Sequence, residues 1–200
     1  MCALVRVRSK EDPFVLDVRV EPLYHETDAR PGSELSLWRR HPQSGEITEA
    51  KLRWGLIPHW MKARPEKPPI NARAETISEK PMFKESYARR RCIVPMDVFY
   101  ERDQNKKLHA FGALDGNPFG VAGIWENWRN ADGKWERTFC IITVPANDLV
   151  GAVHDRMPAI IPIVEHPRWL GPDPDPRDLL KPYPARLMRR VAKLPKQKRM

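Results

Sequence analysis

Twenty-one of the 200 residues are proline, and that sets the first limit on the fold. A proline inside a helix removes a backbone donor and clashes with the preceding turn, at about 3 kcal/mol or more. Prolines spread along a chain therefore exclude an all-helical bundle. What lies between them alternates. Residues 3–8 (Ala-Leu-Val-Arg-Val-Arg) read as a strand, as do Phe14 to Val20 and Leu35 to Arg40, with residues 26–33 as a loop. Ala50, Leu52 and Trp54 fall at period two in a strand ending at Gly55. Cys92 to Glu101 reads as one apolar strand. Lys107 to Leu114 and Phe119 to Trp128 form a hairpin-like pair about Asp115-Gly-Asn117, and the Asn130-Ala-Asp-Gly133 turn leads into Trp135 to Val144. The helices are short. Pro81 to Arg90 opens on a proline and closes on arginines, which suits the two ends of a helix. Glu165 to Leu170 and Asp175 to Leu180 are two further pieces. Strands adjacent in sequence predict an α+β, β-rich single domain, with a strongly twisted antiparallel sheet or barrel-like core and few short helices. Its expected extent is residues 1–185, followed by a basic tail at 186–200 that need not be ordered.

A chain this long buries a core without disulfide help. Its three cysteines (Cys2, Cys92, Cys140) are odd in number and lack metal-ligand spacing. They are neither a disulfide framework nor a zinc site, and no metal or cofactor is expected. Cys92 and Cys140 sit in apolar runs and read as buried thiols. No apolar run approaches ~18 residues and the start has no signal-peptide core. The expectation is a cytoplasmic protein (nucleoid-associated in a bacterium, nuclear in a eukaryote) with no membrane contact. The net charge of +9 points to a polyanion, nucleic acid before an anionic membrane.

Several residue types carry chemistry. Cys2 follows the initiator methionine, and its small side chain favours methionine removal. The result is a 1,2-aminothiol whose amine and thiol titrate near ~8 and ~8.5. An amine and thiol on adjacent carbons condense with an aldehyde to an imine and close it to a thiazolidine. A cysteine at a frayed end is the plainer alternative. Trp54-Gly-Leu-Ile-Pro-His-Trp60 beside the loop Arg64-Pro-Glu-Lys-Pro-Pro69 is either core or a base-stacking platform. Asn71, Arg73 and Glu75 share a face if extended, as a polar surface strand or as groups that orient a substrate oxygen and hold a phosphate. Glu101 ends an apolar strand after Phe99-Tyr100. It is a desolvated acid/base or a carboxylate paired with an arginine. His154, between Val153 and Asp155-Arg156, is a proton-transfer group or part of a structural ion pair.

Cys2, Trp54-Gly-Leu-Ile-Pro-His-Trp60, Asn71-Ala-Arg-Ala-Glu-Thr76, Arg90-Arg-Cys-Ile-Val-Pro95, Phe99-Tyr-Glu101, Ala122-Gly-Ile-Trp-Glu126, Thr138-Phe-Cys-Ile-Ile-Thr143 and His154-Asp-Arg-Met-Pro158 occur in this order. Together they resemble the SOS-response-associated peptidase (SRAP) family, densely over residues 50–164. The resemblance implies a monomeric abasic-site sensor. Such a protein binds single-stranded or junction DNA and captures the ring-opened sugar as a thiazolidine on the mature N-terminal cysteine. It implies Cys2 as nucleophile, Asn71 as the orienting residue, Glu101 as acid/base and His154 as a proton-transfer aid. Arg73 and Arg156 would hold phosphates, and Trp60 and Met61 would meet displaced bases. A thiol peptidase and a non-covalent single-strand-binding module are the alternative functions. The sequence departs from the family pattern in places. Cys2-Ala3-Leu4 replaces the usual Cys-Gly-Arg, so the phosphate contact of that arginine is lost unless Arg6 substitutes. Val98 stands for a glycine and Arg102 for a tryptophan, and residues 9–40 look rebuilt.

Overall fold

The computed structural model describes residues 3–9, 25–173 and 175–191. Its strands are β1 (Val5–Ser9), β2 (His25–Ala29), β3 (Glu34–Arg40), β4 (Ile47–Trp54), β5 (Asn71–Arg73), β6 (Arg91–Met96), β7 (Val98–Arg102), β8 (Leu108–Ala113), β9 (Phe119–Arg129), β10 (Trp135–Pro145), β11 (Arg156–Pro158) and β12 (Met188–Val191). Three short helices join them: α1 (Lys84–Arg89), α2 (Asp148–Gly151) and α3 (His166–Trp169).

Strands β4, β3, β6, β9 and β10 close on themselves. Antiparallel pairs link β4 to β3, β3 to β6, β6 to β9 and β9 to β10. A short parallel pairing of Thr138 with Arg53 and Phe139 with Trp54 shuts the ring. Closure removes the exposed sheet edges. It also explains why β6 and most of β10 are buried along their length instead of alternating. Side chains such as Leu37, Leu52, Trp54, Ile93, Phe139 and Ile141 fill the core, each stabilising by about 1.5–3 kcal/mol when fully buried. Arg39 is a polar member of this interior, its guanidinium 4.6 Å from the Trp125 ring centre. A second sheet, in the order β12-β8-β7-β1-β2, leans on the barrel.

The β-rich class with few short helices is what the sequence predicts. Several element assignments differ. The single strand expected over Cys92 to Glu101 is two, split at Asp97, whose N–H donates to the Arg6 carbonyl at 2.9 Å. That bend hands the chain from the barrel to the second sheet. The hairpin expected of Lys107 to Leu114 with Phe119 to Trp128 does not form. β8 pairs with β7 and β12, whereas β9 pairs with β6 and β10. The loop expected at 26–33 contains β2, recruited by β1 from Val5–Ala29 to Ser9–His25. The helix expected from Pro81 begins at Lys84, after turns whose N–H groups bond the Thr76 and Lys80 carbonyls. Asp175 to Leu180 holds a single 3-10 turn, Arg177–Leu179. β12 lies inside the stretch read as a tail and pairs with β8. The expected strand at Phe14 to Val20 lies outside the described residues, as does Cys2. Cys92 and Cys140 are buried free thiols, and burial pushes both well above their ordinary pKa.

Candidate functional site

The chain leaves the barrel wall at Gly55 and returns along the same partner at Asn71. Gly55 sits at φ 132°, a left-handed conformation that side chains disfavour. A Cβ there would lie 3.2 Å from the Pro68 Cβ. The excursion is pinned at both ends. Gly55 N–H donates to the Phe139 carbonyl, Leu56 N–H to that of Pro69, and the Trp54 indole N–H to that of Ile70 at 2.9 Å. β5 then continues the parallel pairing begun by β4, with Asn71 opposite Ile141 and Arg73 opposite Thr143. Extended geometry holds over Asn71–Arg73, with Ala72 buried between them. Glu75 falls in the following 3-10 turn, off that strand.

The far side of β10 receives β11, with Arg156 opposite Pro145. The Arg156 guanidinium reaches back across the strand. It donates to both Glu75 carboxylate oxygens, at 2.5 and 2.9 Å, and to the Thr143 carbonyl at 2.6 Å. This fork holds the Glu75 carboxyl below its usual pKa range. Arg73 is exposed and has no hydrogen bond or ion pair of its side chain among the described residues. Two residues before Arg156, His154 is half-buried. Its Nδ1 accepts the Arg156 backbone N–H at 3.0 Å. Asp155 Oδ1 is also 3.0 Å from Nδ1, but a Nδ1 that accepts the Arg156 N–H carries no proton to donate to that carboxylate. In the neutral ring the proton sits on Nε2.

Glu101 comes from the other sheet. It lies on β7 at 2% exposure. Burial pushes its carboxyl above the ordinary range; the nearby His154 ring opposes this, and Asp155 adds to it. β1 runs antiparallel beside β7, with Val5 opposite Phe99 and Tyr100 N–H donating to the Leu4 carbonyl at 3.1 Å. Ala3, Leu4, Arg30, Tyr100, Glu101 and Arg102 line a cleft of about 350 Å³. The structure thus gathers Asn71, Arg73, Arg156 and His154 around the C-terminal part of β10, with Glu101 in electrostatic reach of His154.

Trp60 and Met61 are elsewhere. Trp60 is 54% exposed, and the Met61 carbonyl accepts the Trp128 indole N–H at 2.7 Å. Trp128 pairs with Glu136, and from there to Thr143 is about 23 Å along β10. Of the tryptophan pair flanking the proline turn, Trp54 is core and Trp60 is surface. Arg6 is not available as a substitute phosphate contact: it is buried and its Nε donates to Asp28 at 2.9 Å. The arginines that do reach the cleft are Arg30 and Arg102. No local signal marks Arg30, which only the pairing of β1 with β2 and β7 brings to this cleft. The sequence pattern sets Glu75 on a face with Arg73; its partner Arg156 is distant in sequence.

The profile described as SOS response associated peptidase (SRAP) matches residues 4–194. The chain belongs to the SRAP family. It is 44% identical over 146 residues to the abasic site processing protein YoqW of Bacillus subtilis (strain 168), covering 68% of this chain and 64% of that one. It is 30% identical over 185 residues to the abasic site processing protein HMCES of Gallus gallus, covering 77% of this chain and 55% of that one. The chain therefore spans less than two thirds of the length of these SRAP relatives. Among solved structures it resembles a Bordetella bronchiseptica protein with TM-score 0.76 and 31% identity, over 96% of this chain and 100% of that one. A Bacteroides thetaiotaomicron protein matches with TM-score 0.74 and 30% identity, over 83% and 78%. No helix among the described residues of this SRAP chain is long and apolar enough to cross a membrane.

Proposed function

We propose that this SRAP protein captures abasic sites in single-stranded or junction DNA by a covalent thiazolidine on Cys2. Removal of Met1 frees the Cys2 amine, and cutting that bond would itself be a peptidase act. An abasic sugar is mostly a closed hemiacetal, which an amine does not attack. Protonating the ring oxygen while the C1′ hydroxyl loses its proton breaks the ring bond and gives the aldehyde. The amine adds at C1′ and water leaves, forming the imine. The thiol then adds to the same carbon as its proton passes to nitrogen. One water is lost overall, with no oxidant or metal.

The observation that carries this reading is the setting of Glu101. It is a buried carboxyl whose pKa is raised, in the cleft lined also by Ala3, the residue after Cys2. A carboxyl whose pKa is raised by burial is better suited to deliver a proton toward neutral pH than an exposed one. In this reading His154 relays protons at the sugar oxygen and imine, and Asn71 orients the amine and sugar. Arg73 and Arg156 hold phosphates. Trp60 and Met61 meet bases farther along the strand, consistent with their place toward the other end of β10. The names of the Bacillus and Gallus relatives support the same substrate.

The test is an oligonucleotide with one abasic site, resolved on a denaturing gel, beside the intact mass of the protein. The expected adduct mass is protein without Met1, plus oligonucleotide, minus one water. Cys2→Ala should lose the heat-stable band and keep single-strand binding. An equal heat-stable band from Cys2→Ala would falsify the assignment.

A further inference from the structure

The β9–β10 hairpin runs past the barrel rim, and its two faces differ in chemistry. β6 follows β9 only to Ile124, and β4 meets β10 only at Thr138 and Phe139, so the outer part of the hairpin pairs with itself alone. Residues directly opposite share a face. Glu126 with Thr138 and Trp128 with Glu136 lie on one; Trp125 with Phe139, Asn127 with Arg137 and Arg129 with Trp135 lie on the other. The first face is packed and neutralised. Glu136 pairs with Arg64, whose guanidinium lies over the Trp128 ring, and Glu126 accepts from Arg90 Nη2 at 2.9 Å and Ser86 Oγ at 3.1 Å. The second face starts as barrel core at Trp125 and Phe139 and opens to solvent beyond the rim. There Trp135 is 66% exposed, with the Arg129 guanidinium 5.9 Å from its ring centre. Arg129 Nε donates to the Gly133 carbonyl at 3.0 Å, which ties it to the turn. Arg137 is exposed and makes no hydrogen bond or ion pair among the described residues. At the mouth of the barrel Arg39 lies over Trp125 and bonds only the Arg40 carbonyl. Burial and, next, the charge of Arg137 disfavour its protonated form. None of these three guanidinia holds a carboxylate among the described residues; the hairpin's remaining acid, Asp132, is exposed in the turn.

We propose that this face is a second contact for single-stranded DNA, apart from Trp60 and Met61, in which Trp135 stacks on a base and Arg129 and Arg137 hold neighbouring phosphates. An open indole beside unneutralised guanidinia combines the two elements of sequence-tolerant strand binding. The guest is an unpaired strand because a duplex offers Trp135 no free base face. The inference rests on the DNA-binding part of the reading above, and not on capture.

A long intact-base single strand tests it, with affinity followed against salt by fluorescence anisotropy. Arg137→Ala should flatten the log–log salt slope by about 0.7. Trp135→Ala should weaken binding by about fivefold or more and leave the slope unchanged, since stacking releases no counterions. Trp135→Phe keeps a stacking ring and should recover most of the affinity. Wild-type slope and affinity in both alanine variants overturn the proposal. So does a flattened slope in Arg137→Ala with wild-type affinity in Trp135→Ala, which is what a merely solvated arginine gives. A wild-type protein that binds no intact strand also overturns it, whereas failure to crosslink an abasic strand counts against capture alone. Both side chains are exposed, and unchanged melting temperatures separate lost contact from lost fold.

Discussion

Arg73 and Arg156 flank the same stretch of β10, yet they should respond to salt differently. Arg73 is exposed and makes no hydrogen bond or ion pair among the described residues, although Glu75 lies in its electrostatic reach. If it neutralises a phosphate on single-stranded DNA, Arg73→Ala should flatten the log–log salt slope by about 0.7. Between 50 and 200 mM salt that unit corresponds to roughly a 2.6-fold change in affinity. Arg156 is already forked onto Glu75, at 12% side-chain exposure against 46% for the carboxylate. The pair is neutral as a unit, so it releases fewer counterions than a free guanidinium. Arg156→Ala should therefore flatten the slope by clearly less than 0.7. It should still weaken binding at every salt concentration, because it leaves the Glu75 carboxylate unpaired beside the strand. Glu75→Gln keeps the shape and frees the fork, and should steepen the slope by up to about 0.7. Fluorescence anisotropy with an intact-base single strand measures all three. A full 0.7 loss in Arg156→Ala together with an unchanged slope in Glu75→Gln would show that the carboxylate does not compete for the fork.

Glu101→Gln should slow crosslinking by about 10²–10⁴-fold and leave DNA affinity near wild type, read in single-turnover experiments. The same substitution has a pH signature in stability. The Glu101 carboxyl is raised in the folded state, so the folded chain holds a proton that the unfolded chain releases. Wild-type stability then falls relative to Glu101→Gln as pH rises from the unfolded value near ~4.3 through the folded one; urea melts showing a constant difference across that range would refute it. Gly55→Ala should destabilise the fold by about 1–3 kcal/mol through its left-handed backbone and its close approach to Pro68, while Gly116→Ala, with open space around its Cβ, reports the backbone term alone. Equal losses at the two glycines would mean that the contact with Pro68 contributes nothing.

What the sequence by itself determined is what local rules can reach. Prolines excluded a helical bundle, alternation marked β4, apolar runs between turn residues marked β3, β9 and β10, and the Asn130 to Gly133 turn led from β9 into β10, which pair with each other. Glu101 was legible as a desolvated carboxyl because an apolar run ends on it. The order of the motifs named the SRAP family without any coordinates. Tertiary structure decided which strands pair when they are not neighbours. Closing the ring through β4 and β10 forced a break at Asp97 and sent β8 and β9 to different sheets, since one strand cannot follow both curvatures. It also decided the company each charged residue keeps. Arg6 is withdrawn onto Asp28, Arg156 is taken by Glu75, Arg30 is carried to the cleft, and Trp60 is held far along β10 from His154. Charge and spacing in a sequence say which residues carry chemistry. Which of them meet depends on pairings between segments far apart in the chain, set by the packing of the whole core rather than by any local signal.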